Sequence, residues 1–130
     1  MRMMFLFYNQ NQTKMKFDFQ KLAVYQKAKF FHVSCKALIE QKNFHRNVND
    51  QLFRASFSVP LNIAEGSGKF SKRDRKNYFT IARASVFECV AVVDILNDDD
   101  LITNEEYESI ALLADELSRI LYAMIKNLTV

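Results

Sequence analysis

Backbone punctuation is scarce in this chain: 130 residues hold two glycines and one proline. A β-sandwich or barrel needs a turn signal every ~8–12 residues, which this composition cannot supply. The two cysteines, Cys35 and Cys89, belong to no CxxC pair, and each falls on an apolar stripe at helical spacing. That excludes a disulfide scaffold and fits small buried thiols in a reducing compartment. No apolar run approaches the ~20 residues of a membrane span. The run from Met3 to Tyr8 is also shorter than the ~7–15 residues of a signal-peptide core, and no small-residue cleavage site follows it. A cytoplasmic protein with no membrane role is expected. Residues 1–14 read as a flexible leader ahead of a more natural start at Met15, and residues 15–130 as a single domain.

What remains is rich in amphipathic helix. With 49% hydrophobic and 25% charged residues the composition is globular. Projected at ~100° per residue, four segments gather their apolar residues on one side. The first, about 20–41, aligns Val24, Ala28, Phe31, Cys35 and Leu38. The second, about 48–65, carries two stripes: Val48, Leu52, Ala55, Val59 and Ile63, and beyond them Phe53, Phe57, Leu61 and Ala64. The third opens at Ser71 with Asp74 three residues on, and the fourth at Thr103 with Glu106 three residues on, both capping-box spacings. Short connectors then predict an all-α, up-down-up-down antiparallel four-helix bundle. One core cannot cover both stripes of the second helix, so homo-oligomerisation is expected. Phe53, Phe57 and Leu61, joined by Phe87 and Val90 of the third helix, are the expected interface.

Charge is unevenly placed. Residues 1–83 carry 16 basic and five acidic side chains, whereas residues 84–130 carry two basic and ten acidic ones. Such segregation suits a polyanionic partner, or else pairing of one half with the other. The densest positive charge lies in "SVPLNIAEGSGKFSKRDRKNYF", residues 58–79, which also holds Pro60, Gly66 and Gly68. Pro60 predicts a kink, with Ser56 and Ser58 serving the freed backbone groups. Gly66 suits a left-handed residue just past the helix end. Lys69, Lys72, Arg73, Arg75 and Lys76 follow, and Arg73, Lys76, Thr80 and Arg83 recur along one face of the third helix. Cations beside the free N–H groups of a helix start suit phosphate oxygens. Because a helix N-terminus disfavours positive side chains, their presence calls for a reason outside the fold. Nucleic acid, RNA or DNA, is the expected partner.

The block Gln51, Leu52, Arg54, Ala55, Ser58, Asn62, Ile63, Ala64, Glu65 and Gly66, followed by Ile81, Ala82, Arg83, Ser85 and Glu88, resembles the four-helix bundle family encoded in 23S rRNA intervening sequences. Accessory variability determinants of diversity-generating retroelements are among that family's relatives. "LAVYQKA", residues 22–28, resembles its first-helix opening, and Ala84 departs from its usual glycine. The resemblance implies a ring-like homo-oligomer, a pentamer in related proteins, with basic surfaces that bind RNA or DNA and no catalytic site.

Other chemistry is thinly supported. His32 and His45 are isolated, and "NDDDLITNEEY" lacks the glycine and spacing of an EF-hand, so neither a metal nor a cofactor is expected. Arg54, Glu65 and Glu88 are expected to form cross-helix polar pairs. The leading expectation is a non-enzymatic, oligomeric nucleic-acid binder. The alternative is a protein–protein scaffold whose basic turn docks an acidic partner.

Overall fold

In the computed structural model, residues 3, 4, 6 and 15–128 are described. The leader expected over residues 1–14 falls mostly outside them. A 3-10 turn, Asp18–Lys21, leads into α1 (Ala23–Lys42), followed by α2 (Arg46–Ser67), α3 (Lys72–Asp98) and α4 (Asn104–Asn127). Each helix packs along its sequence neighbours and α1 closes against α4, giving the expected antiparallel four-helix bundle.

Local chemistry sets the helix starts. The Ser71 hydroxyl accepts from the Asp74 N–H at 3.1 Å. Thr103 and Glu106 form a full capping box, the Thr103 hydroxyl accepting at 3.0 Å and the Glu106 carboxylate accepting from the Thr103 N–H at 2.9 Å. Ahead of α1, the Gln20 carbonyl group of the side chain accepts from the backbone N–H groups of Lys16 and Phe17, both at 2.9 Å, folding the 3-10 turn over the bundle end.

The core is one continuous cluster. Phe31, Leu52, Val59, Ile63, Val86, Val93 and Leu121 are wholly buried. At the centre Cys35 and Cys89, both free, meet across the bundle. The Cys35 thiol is pushed well above its ordinary value, first by its hydrogen bond with Cys89 and then by burial. Two ion pairs, Lys27–Glu116 at 2.9 Å and Lys42–Glu106 at 3.0 Å, join basic α1 to acidic α4. Part of the charge segregation is thus answered inside the molecule.

Gly66 does not end α2. It lies inside the helix and is buried, and no described glycine has a positive φ. A Cβ on Gly66 would come within 2.7 Å of Phe79 Cε1 and 3.0 Å of Tyr78 Cβ, so its lack of a side chain serves the close approach of α3. α2 closes at Gly68 in a right-handed conformation, whose N–H bonds back to the Glu65 carbonyl at 3.1 Å. The left-handed positions belong instead to Asn43 (φ 51°) and Asp100 (φ 58°). Asp100 completes a Schellman motif: its N–H donates to the Asn97 carbonyl, and that of Leu101 to the Leu96 carbonyl.

α2 runs unbroken through Pro60. The serines expected to serve the freed backbone there are engaged elsewhere. Ser56 donates to the Phe53 carbonyl, and Ser58 meets Ser85 of α3 at 2.9 Å.

Candidate nucleic-acid interface

The α2–α3 connection and the 3-10 turn lie at one end of the bundle. Lys16, Lys21, Lys69, Lys72 and Arg73 are exposed there, with Arg75 and Lys76 half-buried. Among the described residues none of these seven makes an ion pair. Lys69 lies just past the C-terminus of α2, where the helix dipole favours a cation, and its ammonium sits 5.1 Å from the centre of the Tyr78 ring. Lys72, Arg73, Arg75 and Lys76 occupy the opening turns of α3, where the dipole disfavours them. Arg75 reaches toward a cleft of about 310 Å³ lined also by Phe17, Asp18, Phe19 and Ser67. Its Nε is buried with no hydrogen-bond partner among the described residues.

Arg83 stands apart from this cluster. Its Nε donates to the Ser118 carbonyl of α4 at 3.1 Å, and its guanidinium lies over Phe87 (4.6 Å) and Tyr122 (5.4 Å). It joins α3 to α4, so the helical spacing that aligned it with Arg73 and Lys76 does not place it in the open surface.

The polar residues of the motif divide similarly. The Asn62 amide donates to the Ser58 carbonyl at 2.8 Å and to its hydroxyl at 2.9 Å, and Ser58 in turn meets Ser85. This small network pins α2 to α3 beside Gly66. Glu88 accepts a long bond, 3.4 Å, from Gln51 across the same seam. Arg54 and Glu65, expected to share in cross-helix pairing, are exposed and make no ion pair among the described residues.

The residues expected at an oligomer interface lie on two separate faces. Phe53, Phe57 and Leu61 are 40–47% exposed along α2. His32 of α1 edges onto the first two rings, at 5.1 and 5.5 Å. Its Nδ1 shares a hydrogen bond with the Ser56 hydroxyl at 2.9 Å, and that hydroxyl also lies 3.1 Å from the Phe53 carbonyl. Burial, and then Lys36, hold the imidazole below its usual 6.5, so it is neutral at neutral pH. Phe87 and Val90 lie on the opposite side, in a groove between α3 and α4 with Val86, Ala111 and Ala114.

One residue of the basic end escaped the sequence reading. Phe70 sits between Lys69 and Ser71 at 104% relative exposure, touching nothing that would explain an aromatic side chain. The position just before an N-cap often holds an apolar residue that packs on the fourth helical residue. Here that fourth residue is Arg75. An apolar N′ without an apolar partner is the signal that could have found Phe70.

The profile of the 23S rRNA-intervening sequence protein family matches residues 20–123. The chain belongs to that family. The matched residues include the whole α2–α3 seam and the connection that carries the basic end. A similar solved structure is the crystal structure, at 1.70 Å resolution, of a protein of unknown function of the S23 ribosomal protein family from Bacteroides thetaiotaomicron. It shares 27% identity with a TM-score of 0.75, covering 80% of this chain and 99% of that one. Comparison with curated proteins finds no match. No described helix is long and apolar enough to cross a membrane. Among the described residues no three of His, Cys, Asp and Glu gather as metal ligands would.

Proposed function

We propose that this member of the 23S rRNA-intervening sequence protein family is a non-enzymatic binder of RNA or DNA that engages phosphates through Lys69, Lys72, Arg73, Arg75 and Lys76. The observation that carries the reading is the open cation cluster at the head of α3, unpaired within the described chain and set against the preference of the helix dipole. Contacts of this kind address the backbone, so affinity falls steeply with salt and varies little with sequence. Replacing Lys72, Arg73 and Lys76 together by Ala is expected to reduce the slope of log affinity against log salt by up to about three, measured by anisotropy of a labelled RNA. Wild-type affinity in that variant removes the site.

The apolar faces support self-association as part of the same reading. Phe53, Phe57 and Leu61 flank α1, whereas Phe87 and Val90 flank α4 on the far side of the bundle. Two unlike faces on opposite sides suit a heterologous contact, which closes into a ring when the rotation per copy permits. Light scattering should find Phe57→Glu in a smaller species than the wild type; equal masses count against this face. A protein partner is the second reading, favoured by the same exposed rings if the chain alone is monomeric.

A further inference from the structure

We infer that Phe70 is a stacking platform for an unpaired base, and that the nucleic acid engaged at the basic end is therefore single-stranded or locally unpaired. The inference rests on the phosphate-binding reading above and adds the class of substrate to it.

A bare aromatic ring in water is disfavoured, and the usual local reason for one before an N-cap, packing on the fourth helical residue, is missing because Arg75 occupies that position. Nor is the ring part of either apolar face. Phe53, Phe57 and Leu61 lie along α2 and Phe87 along α3, whereas Phe70 stands in the two-helix connection itself. Its immediate surroundings are charged: Lys69 precedes it, and Lys72 and Arg73 follow the N-cap Ser71. A flat apolar surface rimmed by cations complements a polyanion whose uncharged parts are flat rings.

Base–aromatic stacking contributes without regard to base identity, and cations on either side hold the flanking phosphates. In a paired duplex both faces of each base are already covered, so the ring has nothing to stack on except at an end. The turn fixes the backbone that carries the ring: Lys69 N–H bonds to the Gly66 carbonyl at 3.2 Å, and Ser71 caps α3. Lys69 is itself drawn onto the Tyr78 ring, which keeps its long side chain close to the connection.

The chain contains no tryptophan, so Phe70→Trp creates a single fluorescent reporter at the proposed contact. The experiment compares a labelled single-stranded RNA of about 12 nucleotides with a long duplex, using the full chain as wild type, Phe70→Ala, Phe70→Trp and the Lys72→Ala/Arg73→Ala/Lys76→Ala variant. Phe70→Ala is expected to weaken single-strand binding by about tenfold or more, leave duplex binding within about twofold, and keep the salt slope of the wild type. Phe70→Trp is expected to retain binding, with its emission quenched by the single strand and not by the duplex. Because Phe70 is fully exposed, neither change should move the melting temperature, which is checked alongside. Wild-type single-strand affinity in Phe70→Ala, with binding lost in the charge variant, overturns the stacking inference and leaves the phosphate reading standing. Failure of the wild type to bind either RNA, or single-stranded and duplex DNA of the same lengths, at low salt overturns both. A tryptophan that blue-shifts on anionic phosphatidylserine vesicles but ignores RNA assigns the ring to a membrane surface and also overturns it.

Discussion

The two ends of α3 carry charge of opposite sign, and each is the sign that the helix dipole disfavours. The N-terminal turns hold Lys72, Arg73, Arg75 and Lys76, relieved only by Asp74, and the C-terminal turn holds Asp98 with Asp99 as its cap. Their neighbours differ. At the acidic end, α4 begins with Glu105 and Glu106, where its own dipole welcomes them, and Lys42 of α1 meets Glu106 at 3.0 Å. Acidic charge there is partly answered by the fold. At the basic end the fold gives the cations no carboxylate partner among the described residues, and only Lys69, past the end of α2, sits where a dipole favours it. Asp98 and Asp99 themselves make no ion pair among the described residues, so the contrast lies in the cation that the fold brings to the acidic end and in the lack of any anion at the basic one, which on the proposed function a phosphate supplies.

Four changes sharpen this contrast. Gly66→Ala drives a methyl group into the Phe79 ring, which is 2% exposed and cannot swing away, and into Tyr78. Overpacking there should cost about 1–3 kcal/mol despite the better helix propensity of alanine, lowering the melting temperature by several degrees. It should also disturb the seat of the basic end, so RNA affinity is expected to fall with stability. Asp100→Gly removes a left-handed non-glycine residue and should stabilise by up to about 1 kcal/mol, read as a raised denaturation midpoint with an unchanged slope. Asp98→Lys places a favoured charge in the last turn of α3 and should stabilise by about 0.3–1 kcal/mol at low salt, with the gain fading as salt is added. Neither of these two should change RNA affinity more than slightly, since both lie at the far end.

The smallest effect is a pH dependence confined to the acidic end. The Thr103 N–H, and then Lys42, hold the Glu106 carboxyl below its ordinary 4.5. The folded state therefore binds this proton less readily than the unfolded chain. Its contribution is complete above about 4.5 and is lost as pH falls through the lower folded value. Acid melts of Glu106→Gln should show a shallower decline below pH 4.5 than the wild type; parallel curves would assign the acid sensitivity elsewhere.

Helical periodicity made most of this architecture legible. The stripe of Leu52, Ala55, Val59 and Ile63 is the buried one, the stripe of Phe53, Phe57 and Leu61 is the exposed one, and Ser71 and Thr103 both cap their helices, Thr103 alone with the reciprocal bond of a full capping box. What escaped depends on a second helix. Gly66 reads locally as a helix terminator, and only the approach of Phe79 reveals it as a contact point. Arg83 shares a face of α3 with Arg73, but a single-helix projection does not contain the α4 groove that takes up its guanidinium. Phe70 has no period to belong to, because it lies in a connection. Its meaning comes from the contrast between full exposure and the absence of an apolar partner at Arg75.

The central claim is that the head of α3 gives up some folding stability to hold phosphates. Thermal melts of Lys72→Glu/Arg73→Glu, with and without RNA, test it most directly. Without RNA the doubly reversed variant should melt above the wild type, by about 0.3–1 kcal/mol of stability per reversal. RNA should raise the melting temperature of the wild type and leave the variant unmoved. A variant that melts lower than the wild type, or one that RNA stabilises equally, would contradict the account.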